Sequence, residues 1–468
     1  MMIERNAMRR NKKTANLLEG SISRGILAFV LPMMLGTLIQ QLYVTADAVI
    51  VGQFAGKEGL ASIDAVATLF KFPLNFMNGL AAGATIHIAS YFGAGDEKKL
   101  KRSVRAACIV AAVLGIVCSV AGVCFSRQLL HLMDVPDNIF RETLAYTRIY
   151  FAGIWSMILY NMAAGILRAF GDSKNPLYVL ILCSVCNIAG DYLLVGIFGF
   201  GVEGAAAATV ASQIVSVLCT LILLNRSMNG RRPLIGRPLW GGLEYVKAMM
   251  VTGFPLALQS MLFPVANSIV QASVNRMGSD TIAAWGICNK LDMFIWLVAD
   301  AMGPALTTYV AQNLGAGQKH RVNKGVMTGM AMSVGTVAAI SLLLYLGAGI
   351  MGGWFVSGED AGVLIPLVVK YMQMMAPFYV FYAVAEALSG SCCGMGNTVL
   401  PMITTLVTIC LLRVVGIWLI QPRYESMECI VWIYIASWVA AGLAFLVMYL
   451  VQAGKRLDLR KRIVNDRS

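Results

Sequence analysis

Charged residues are scarce in this chain of 468 residues: Asp, Glu, Lys and Arg make up 13% of it, and hydrophobic residues make up 58%. That composition excludes an ordinary water-soluble protein, which needs a charged surface. Several stretches of about 20 residues or more contain no charge at all. Each is long enough to cross the hydrocarbon core of a bilayer as a helix. Four such stretches are 106–126, 204–225, 326–358 and 429–454.

The sequence motifs of metal sites and phosphate-binding loops are also missing. The three histidines, His87, His131 and His320, are scattered and lack metal-ligand spacing, and His87 is interpreted as structural. The nearest approach to a phosphate loop, 52–58, has the wrong spacing and Glu58 where Ser or Thr is required. Most connections between apolar stretches are short, which leaves no room for a soluble catalytic domain. We therefore expect neither an enzyme nor an ATP-driven pump, and no cofactor.

Three short motifs each occur twice, about half the chain apart. Leu31-Pro32 is matched by Phe254-Pro255, Phe92-Gly93-Ala94-Gly95 by Leu314-Gly315-Ala316-Gly317, and Gly171 to Pro176 by Gly396 to Pro401. The offsets lie between 222 and 225 residues, so the two halves stay nearly in register. Two similar halves in an apolar chain are typical of secondary transporters, whose substrate site lies between the halves.

The predicted fold class is an all-α polytopic membrane protein with twelve transmembrane helices in two six-helix bundles. Because six is an even number, both halves enter the membrane from the same side and form a parallel internal repeat. The predicted spans are 26–52, 60–92, 105–126, 142–167, 177–199, 203–225, 248–275, 281–313, 326–350, 369–393, 399–420 and 430–452. The predicted domains are an N-terminal arm (1–25), an N-terminal lobe (26–225), a linker (226–247), a C-terminal lobe (248–452) and a basic tail (453–468).

The net charge of +13 is a topology signal rather than a sign of nucleic-acid binding. Most of the 37 Lys and Arg residues lie in the N-terminal arm, the C-terminal tail and alternate connections between the spans. The positive-inside rule therefore predicts an inner-membrane protein with both termini in the cytoplasm and anionic lipids as partners. No cleavable signal peptide is apparent. A monomer is expected, because the cavity lies within one chain.

Ionisable residues inside spans are costly, so they are candidates for function. Asp47 shares one helix face with Gln40 and Tyr43, and Asn187 shares a face with Asp191 in the fifth span. Burial favours the neutral form of a carboxyl group, so Asp47 and Asp191 are predicted to take up a proton. The same oxygens, with the Asn187 amide, also suit Na⁺. The proton and sodium interpretations both remain open, and no other metal is expected.

The second half is less acidic at the corresponding positions. Val270 occupies the position in the second half that corresponds to Asp47, and Gly416 the position that corresponds to Asp191. Ion coupling is therefore predicted to lie in the N-terminal half. Lys290 and Asp292 are expected to pair near a helix end. Glu386 either attracts a cationic substrate or pairs with Arg413. Candidate residues for a substrate cavity are Gln40, Tyr43, Asn267, Gln271, Asp300 and Glu386.

These residues, in this order and spacing, resemble the MATE family (multidrug and toxic compound extrusion) of bacterial NorM, DinF and MepA type, over residues 20 to 452. The resemblance rests on Pro32 and Asp47, on the duplicated Gly-Ala-Gly motif, and on Asn187 with Asp191. It implies antiport of cationic drugs or dyes against H⁺ or Na⁺, with Asp47, Asn187 and Asp191 matching the ion site of the N-terminal lobe. It also implies that ion binding reshapes the first helix, where Pro32 provides a bend.

One departure from the family pattern concerns the seventh span. Members of the NorM type often carry Glu a few residues after the proline, where this chain has Gln259 and Ser260. This departure argues against a sodium site in the C-terminal lobe, although Glu386 in the tenth span lies near the place where such members carry a second acid. Two alternatives remain: a dedicated exporter of a metabolite or peptide, and a flippase for lipid-linked precursors. The flippase would need a strongly basic cavity, and intramembrane cations are few.

Overall fold

The computed structural model describes residues 17–228 and 242–465, with side chains up to residue 452. Within these ranges the chain is almost entirely helical and contains no β-strand. Twelve described helices are long and apolar enough to cross a membrane, as predicted. They are α1 (Ile22–Phe54), α2 (Gly56–Ala94), α3 (Glu97–Leu132), α4 (Asp137–Ala169), α5 (Lys174–Ile197), α6 (Gly201–Ser227), α7 (Leu243–Val274), α8 (Ser279–Gly315), α9 (Lys319–Gly352), α10 (Ala361–Gly394), α11 (Val399–Arg423) and α12 (Met427–Asn465).

Several helices extend past the apolar spans that predicted them. α3 begins at Glu97 rather than at residue 105, because the basic run at its start is helical and Asp96 caps it by accepting a hydrogen bond from the Lys99 amide (3.0 Å). Hydropathy detects only the lipid-facing part of such a helix. Most of the predicted arm (1–25) and linker (226–247) lies outside the described residues.

Packing divides the described chain into two units. The first unit comprises the described part of Met1–Ala257 together with Ala311–Gln318, and the second comprises the described parts of Leu258–Val310 and Lys319–Ser468. The first unit therefore contains α1 to α6, the start of α7 and the last turns of α8. The second unit contains the rest of α7 and α8 and all of α9 to α12.

The duplicated Gly-Ala-Gly motif closes a tight helix crossing inside the first unit. A Cβ atom on Gly93 would lie 1.9 Å from the Gln312 carbonyl oxygen, and one on Gly315 would lie 2.0 Å from that of Ser90. Only glycine permits such close backbone contact between α2 and the end of α8. The second glycine of α2's motif, Gly95, takes a left-handed conformation (φ 68°) and ends the helix.

The second duplicated motif is a pair of equivalent helix junctions. Gly171 (φ 81°) and Gly396 (φ 88°) turn the chain after α4 and α10. The next residue in each case caps the following helix. Asp172 Oδ1 accepts a hydrogen bond from the Asn175 amide (3.0 Å), and Asn397 Oδ1 accepts one from the Leu400 amide (3.3 Å). The sequence repeat thus encodes the same junction twice.

Two irregular turns adjoin the residues that form the candidate sites. In α5 the backbone widens into a π-helical turn over Tyr192–Ile197, directly after Asp191. In α10 it tightens into a 3₁₀ turn over Ala376–Phe378, directly before Tyr379. π-turns and 3₁₀ segments within long helices are frequent at functional positions, because they re-aim neighbouring side chains.

Candidate functional site

Two carboxyl groups meet inside the first unit. Asp47 of α1 and Asp191 of α5 interact directly through their side chains, and we call them the carboxyl pair. Asp191 is fully buried and Asp47 is half-buried. Neither oxygen of Asp191, nor Oδ1 of Asp47, receives a hydrogen bond from any other described group. Two ionised carboxylates in contact repel each other strongly in a low dielectric, so the pair is stable with a shared proton or a bound cation.

Asn187 lies one turn before Asp191 on the same face of α5 and is also fully buried. Its Nδ2 donates a hydrogen bond to Thr209 Oγ1 of α6 (3.2 Å). That bond fixes the orientation of the amide group. The other atom of the amide, Oδ1, has no described hydrogen-bond partner. The amide oxygen and the carboxyl pair therefore supply the hard oxygen donors that a proton or Na⁺ requires, with Thr209 as the orienting residue.

Tyrosines surround the carboxyl pair. Tyr43 and Tyr146 each interact electrostatically with both Asp47 and Asp191, and Tyr150 interacts with Asp47. The ring of Tyr150 stacks on Phe70 of α2 with centroids 3.9 Å apart. These rings limit water around the carboxylates and supply hydroxyl groups beside them. Gln40, predicted to share this face, is exposed on α1.

The second unit holds two carboxylates that are each paired with a tyrosine of α10. The Tyr379 hydroxyl donates to Asp292 Oδ1, and the Tyr382 hydroxyl donates to Asp300 Oδ1 at 3.5 Å. The expected pair of Lys290 with Asp292 does not form. Lys290 is instead exposed, with its ammonium 5.2 Å from the centre of the Phe355 ring, because α8 turns the two side chains to different faces.

Arg413 of α11 is almost completely buried, with 1% of its surface exposed. Its Nε donates to Ser437 Oγ (2.9 Å) and its Nη1 donates to Asn267 Oδ1 (3.0 Å). Its guanidinium lies over the Tyr434 ring, 4.0 Å from the centroid. The alternative pairing with Glu386 is not formed. Glu386 instead interacts with Tyr382 and Asp300.

A cavity of about 290 Å³ lies within the second unit, and we call it the tryptophan cavity. Three of the residues predicted for a substrate cavity, Asn267, Gln271 and Asp300, line it, and Glu386 lies behind Asp300. The full lining is Phe263, Asn267, Gln271, Trp285, Asn289, Asp292, Trp296, Asp300, Met375, Tyr382, Arg413, Tyr434 and Trp438.

His87 of α2 has the structural role that the sequence predicted. Its Nε2 lies 2.8 Å from Thr252 Oγ1 and 3.2 Å from the Ala248 carbonyl oxygen, both on the first turns of α7. It therefore ties α7 to α2 inside the first unit. Across the described residues, no three His, Cys, Asp or Glu side chains gather into a metal site.

Sequence reasoning missed Thr209, Tyr146 and Tyr150 around the carboxyl pair. Threonine and tyrosine are common in apolar helices, so neither type stands out within a span. The i, i+4 spacing of Tyr146 and Tyr150 on α4 was the available signal, since it puts both side chains on one helix face.

Comparison with known proteins gives one family match and many full-length relatives. The family model MatE matches twice, over residues 32–193 and 255–419, once in each half of the chain. The probable multidrug resistance protein YoeA of Bacillus subtilis is 26% identical over 445 residues, covering 93% of each chain. The multidrug export protein MepA of Staphylococcus saprophyticus is 22% identical over 456 residues, covering 94% of this chain and 96% of its own.

A third relative and two solved structures extend the comparison. A protein of Shewanella oneidensis named FAD transporter is 26% identical over 351 residues, covering 72% of this chain and 74% of its own. A structure described as the outward-facing conformation of a MATE family transporter superposes with a TM-score of 0.85 at 22% identity, covering 97% of this chain and 100% of that one. A structure of MATE in the bent conformation also gives 0.85, at 20% identity, covering 97% and 99%.

Proposed function

This chain belongs to the MatE family of multidrug efflux transporters, and from that premise we propose that it is a secondary antiporter exporting amphipathic organic cations in exchange for H⁺ or Na⁺. It is a transporter rather than an enzyme, and its twelve membrane helices share the fold of solved MATE structures. The exchange would use alternating access, in which the protein opens to one side of the membrane at a time.

The observation that carries this proposal is the contact between the carboxyl groups of Asp47 and Asp191. Three buried oxygens of this pair and Oδ1 of Asn187 have no described hydrogen-bond partner. One Na⁺ could contact all of these oxygens, and one proton shared between the carboxyl groups would likewise relieve the repulsion between the carboxylates. An ion gradient can drive a conformational change only through a site whose affinity differs between the two states. A contact that joins α1 to α5 and that an ion stabilises meets this requirement.

The ion would therefore act by changing how α1 packs on α5. With the ion bound, the carboxyl pair holds α1 against α5; without it, repulsion favours separation of the two helices. The aromatic and apolar residues beside the pair, among them Tyr43 and Phe70, would then contact a cationic drug or lose that contact. Export follows if ion binding from outside lowers the affinity for drug in the outward-open state.

The membrane arrangement is part of the proposal. Basic residues cluster beside the α2–α3 loop, with Lys98 and Lys99 in the first turn of α3, and beside the α8–α9 loop, with Lys319 and Arg321 in the first turn of α9, so both loops would face the cytoplasm of a bacterial inner membrane. The α2–α8 crossing at Gly93 and Gly315 lies beside these loops and would close the cytoplasmic side. Anionic lipids would neutralise the basic loops, and the transporter would act as a monomer.

A second candidate is the export of a dedicated metabolite. The name of the Shewanella relative, FAD transporter, favours this candidate, because that protein aligns with 72% of this chain. FAD is a large dianion that carries aromatic rings, whereas the first-unit site is acidic. The two candidates therefore differ in the charge of the substrate that they require.

The test is transport by the purified chain in proteoliposomes. A fluorescent organic cation is followed under an imposed proton gradient, an imposed Na⁺ gradient, or neither, and FAD is offered in parallel vesicles. We expect dye movement with one of the two gradients. We also expect Asp47→Asn and Asp191→Asn each to reduce it at least tenfold, because each removes one of the two carboxylates that bind the ion.

Asp64→Asn is the matched control, because Asp64 is an exposed carboxylate on α2, outside the carboxyl pair. It should transport dye at the wild-type rate. Gradient-driven transport that survives intact in Asp47→Asn would overturn the assigned coupling site. Movement of FAD without movement of dye would replace the multidrug function with the metabolite function.

A further inference from the structure

The tryptophan cavity of the second unit carries a positive and a negative pole that do not pair with each other. Arg413 lines it, and so do Asp292 and Asp300. Nevertheless, in the described part of the chain no carboxylate oxygen lies within 4.0 Å of the Arg413 guanidinium. Charges that share a small cavity without an ion pair are costly, since an unpaired buried charge is poorly solvated. The arrangement is explained if a ligand carries one negative group that pairs with Arg413 and one positive group that pairs with an aspartate.

The positive pole has unused hydrogen-bond donors on Nη2 of Arg413. Arg413 uses Nε on Ser437 and Nη1 on Asn267, and its plane stacks on Tyr434. Its Nη2 is buried and has no described hydrogen-bond partner. Guanidinium groups in such surroundings normally bind a carboxylate or another anionic oxygen. These contacts fix the guanidinium in place, so a ligand carboxylate would meet a preorganised donor.

The negative pole is formed by the two aspartates of α8. Each accepts a hydrogen bond from a tyrosine of α10, and no Lys or Arg of the described chain lies within 4.0 Å of either carboxylate. Asp292 is buried and Asp300 is exposed. Asp300 therefore offers a carboxylate oxygen that a protonated amine can reach from solvent.

Aromatic rings also line the cavity. Trp285 contacts Tyr434 edge-on at 5.5 Å, and Trp296 lies 6.0 Å from Trp438 and 4.7 Å from Tyr382, measured between ring centroids. Such walls bind planar rings through edge and face contacts. A dry cavity of about 150 Å³ holds a benzene ring. At about 290 Å³, this cavity has room for one or two fused rings with short substituents.

We propose that the tryptophan cavity binds a small aromatic zwitterion. The carboxylate of the ligand would accept from Arg413 Nη2, its protonated amine would contact Asp300, and its ring would lie among Trp285, Trp296 and Trp438. A simple cation would leave Nη2 of Arg413 without a partner and place a like charge near the guanidinium, and a simple anion would face two aspartates. This site lies in the second unit and does not depend on the ion coupling proposed for the first.

The test uses the intact purified chain in detergent, without any ion gradient, so its outcome is independent of transport. Tritiated L-tryptophan is the probe. Tryptamine, which lacks the carboxylate, and indole-3-propionate, which lacks the amine, are the competitors. We expect L-tryptophan to bind at least tenfold more tightly than either analogue, because it alone engages both poles.

Two variants test which residue binds the carboxylate of the ligand and which binds its amine. Arg413→Gln should weaken L-tryptophan binding at least tenfold and leave tryptamine binding unchanged or tighter. Asp300→Asn should weaken L-tryptophan and tryptamine but not indole-3-propionate. Lys290→Gln is the control, because Lys290 is an exposed charge on the same helix as Asp300 and does not line the cavity, so it should bind all three compounds as wild type does.

Wild-type protein alone can overturn the proposal, even if Arg413→Gln fails to fold. Equal binding of tryptamine and L-tryptophan would show that the carboxylate finds no partner. Absence of L-tryptophan binding at millimolar concentration would remove the site. A folded Arg413→Gln that loses all three compounds equally would contradict the assigned pole.

Discussion

At the residue scale, the two units differ in the buried charged side chains that they contain. In the first unit Asp47 and Asp191 interact directly, and no Lys or Arg of the described chain lies within 4.0 Å of either carboxylate, so under the proposed function a proton or Na⁺ balances their charge. In the second unit the corresponding positions hold Val270 and Gly416, and the buried charges include the guanidinium of Arg413 as well as the carboxylate of Asp292. A guanidinium stays charged in a protein, so the second unit holds a fixed cation among its carboxylates, and the proposed ion exchange is assigned to the first unit.

Asp172 provides a residue-scale prediction about pH. It caps α5 from the connection after α4, and burial raises the pKa of its carboxyl group despite hydrogen bonds from Asn175. A carboxyl with a raised pKa is destabilising when ionised, and that cost is absent below its unfolded pKa and complete above its folded pKa. The equivalent residue in the second half, Asn397, caps its helix without a charge.

Asp172→Asn should therefore stabilise the protein, and more so at high pH. Thermal denaturation in detergent at pH 4 and pH 8 measures the effect. The denaturation temperature of the variant should exceed that of wild type at pH 8, and the difference should shrink at pH 4, because a larger fraction of Asp172 is protonated there. A lower denaturation temperature for the variant at pH 8 would show that the carboxylate strengthens the cap instead. Asn397→Asp in the second half is the reverse control and should destabilise.

The sequence could predict Asp47, Asn187 and Asp191, because charged or amide side chains in apolar helices are rare and their spacing reveals the shared face. It could not predict that the two aspartates touch, since this depends on how α1 packs on α5. The sequence also could not decide whether Glu386 attracts a cationic substrate or pairs with Arg413. That choice depends on the rotation of α10 and α11, which turns Glu386 towards Tyr382 and leaves Arg413 on Asn267 and Ser437.

At the element scale, the twelve helices follow from hydropathy, and their irregularities do not. The wide turn at Tyr192–Ile197 and the tight turn at Ala376–Phe378 each adjoin a candidate site. Pro377 accounts for the second, because it lacks the amide hydrogen that a regular α-helix needs. The first contains no proline, and glycines such as Gly196 within it also occur in regular helices of this chain, so it was not predictable from local sequence.

Glycine at the α2–α8 crossing gives an element-scale prediction. In Gly93→Ala the new methyl group would lie 1.9 Å from the Gln312 carbonyl oxygen, so the helices must separate. The expected cost is about 1–3 kcal/mol in the free energy of unfolding, typical of overpacking. Denaturation in detergent measures it, and reduced transport in vesicles should accompany it if this crossing closes the cytoplasmic side.

Gly335→Ala on α9 is the matched control, because nothing lies within 4 Å of the added methyl group. Alanine favours helix over glycine, so this variant should be neutral or more stable by up to about 1 kcal/mol. If Gly93→Ala were as stable as Gly335→Ala, the close crossing of α2 on α8 would be refuted.

At the scale of the whole molecule, the sequence repeat and the packing units describe different things. The repeat, matched twice by the family model, reflects two similar halves of the chain. The packing assigns Leu243–Ala257 and Ala311–Gln318 of the second half to the first unit, because glycines at 79, 83 and 93 let those segments contact α2. Sequence similarity reveals the ancestry of a segment but not its contacts. The packing of these second-half segments in the first unit therefore could not be predicted.

The central claim of the proposed function is that a cationic drug moves in exchange for an ion bound by the carboxyl pair. Binding affinities are coupled reciprocally, so a drug gradient must be able to move the ion. The most direct measurement is therefore ion flux in sealed proteoliposomes with no imposed ion gradient, driven by a cationic drug added on one side. Internal pH and ²²Na⁺ are followed together.

The proposal predicts that drug entry on one side moves H⁺ or Na⁺ in the opposite direction in wild type and in Asp64→Asn, and that Asp47→Asn and Asp191→Asn abolish this flux. Drug movement in wild type without any opposite ion flux would contradict antiport. Ion flux that persists in both aspartate variants would contradict the carboxyl pair as its site.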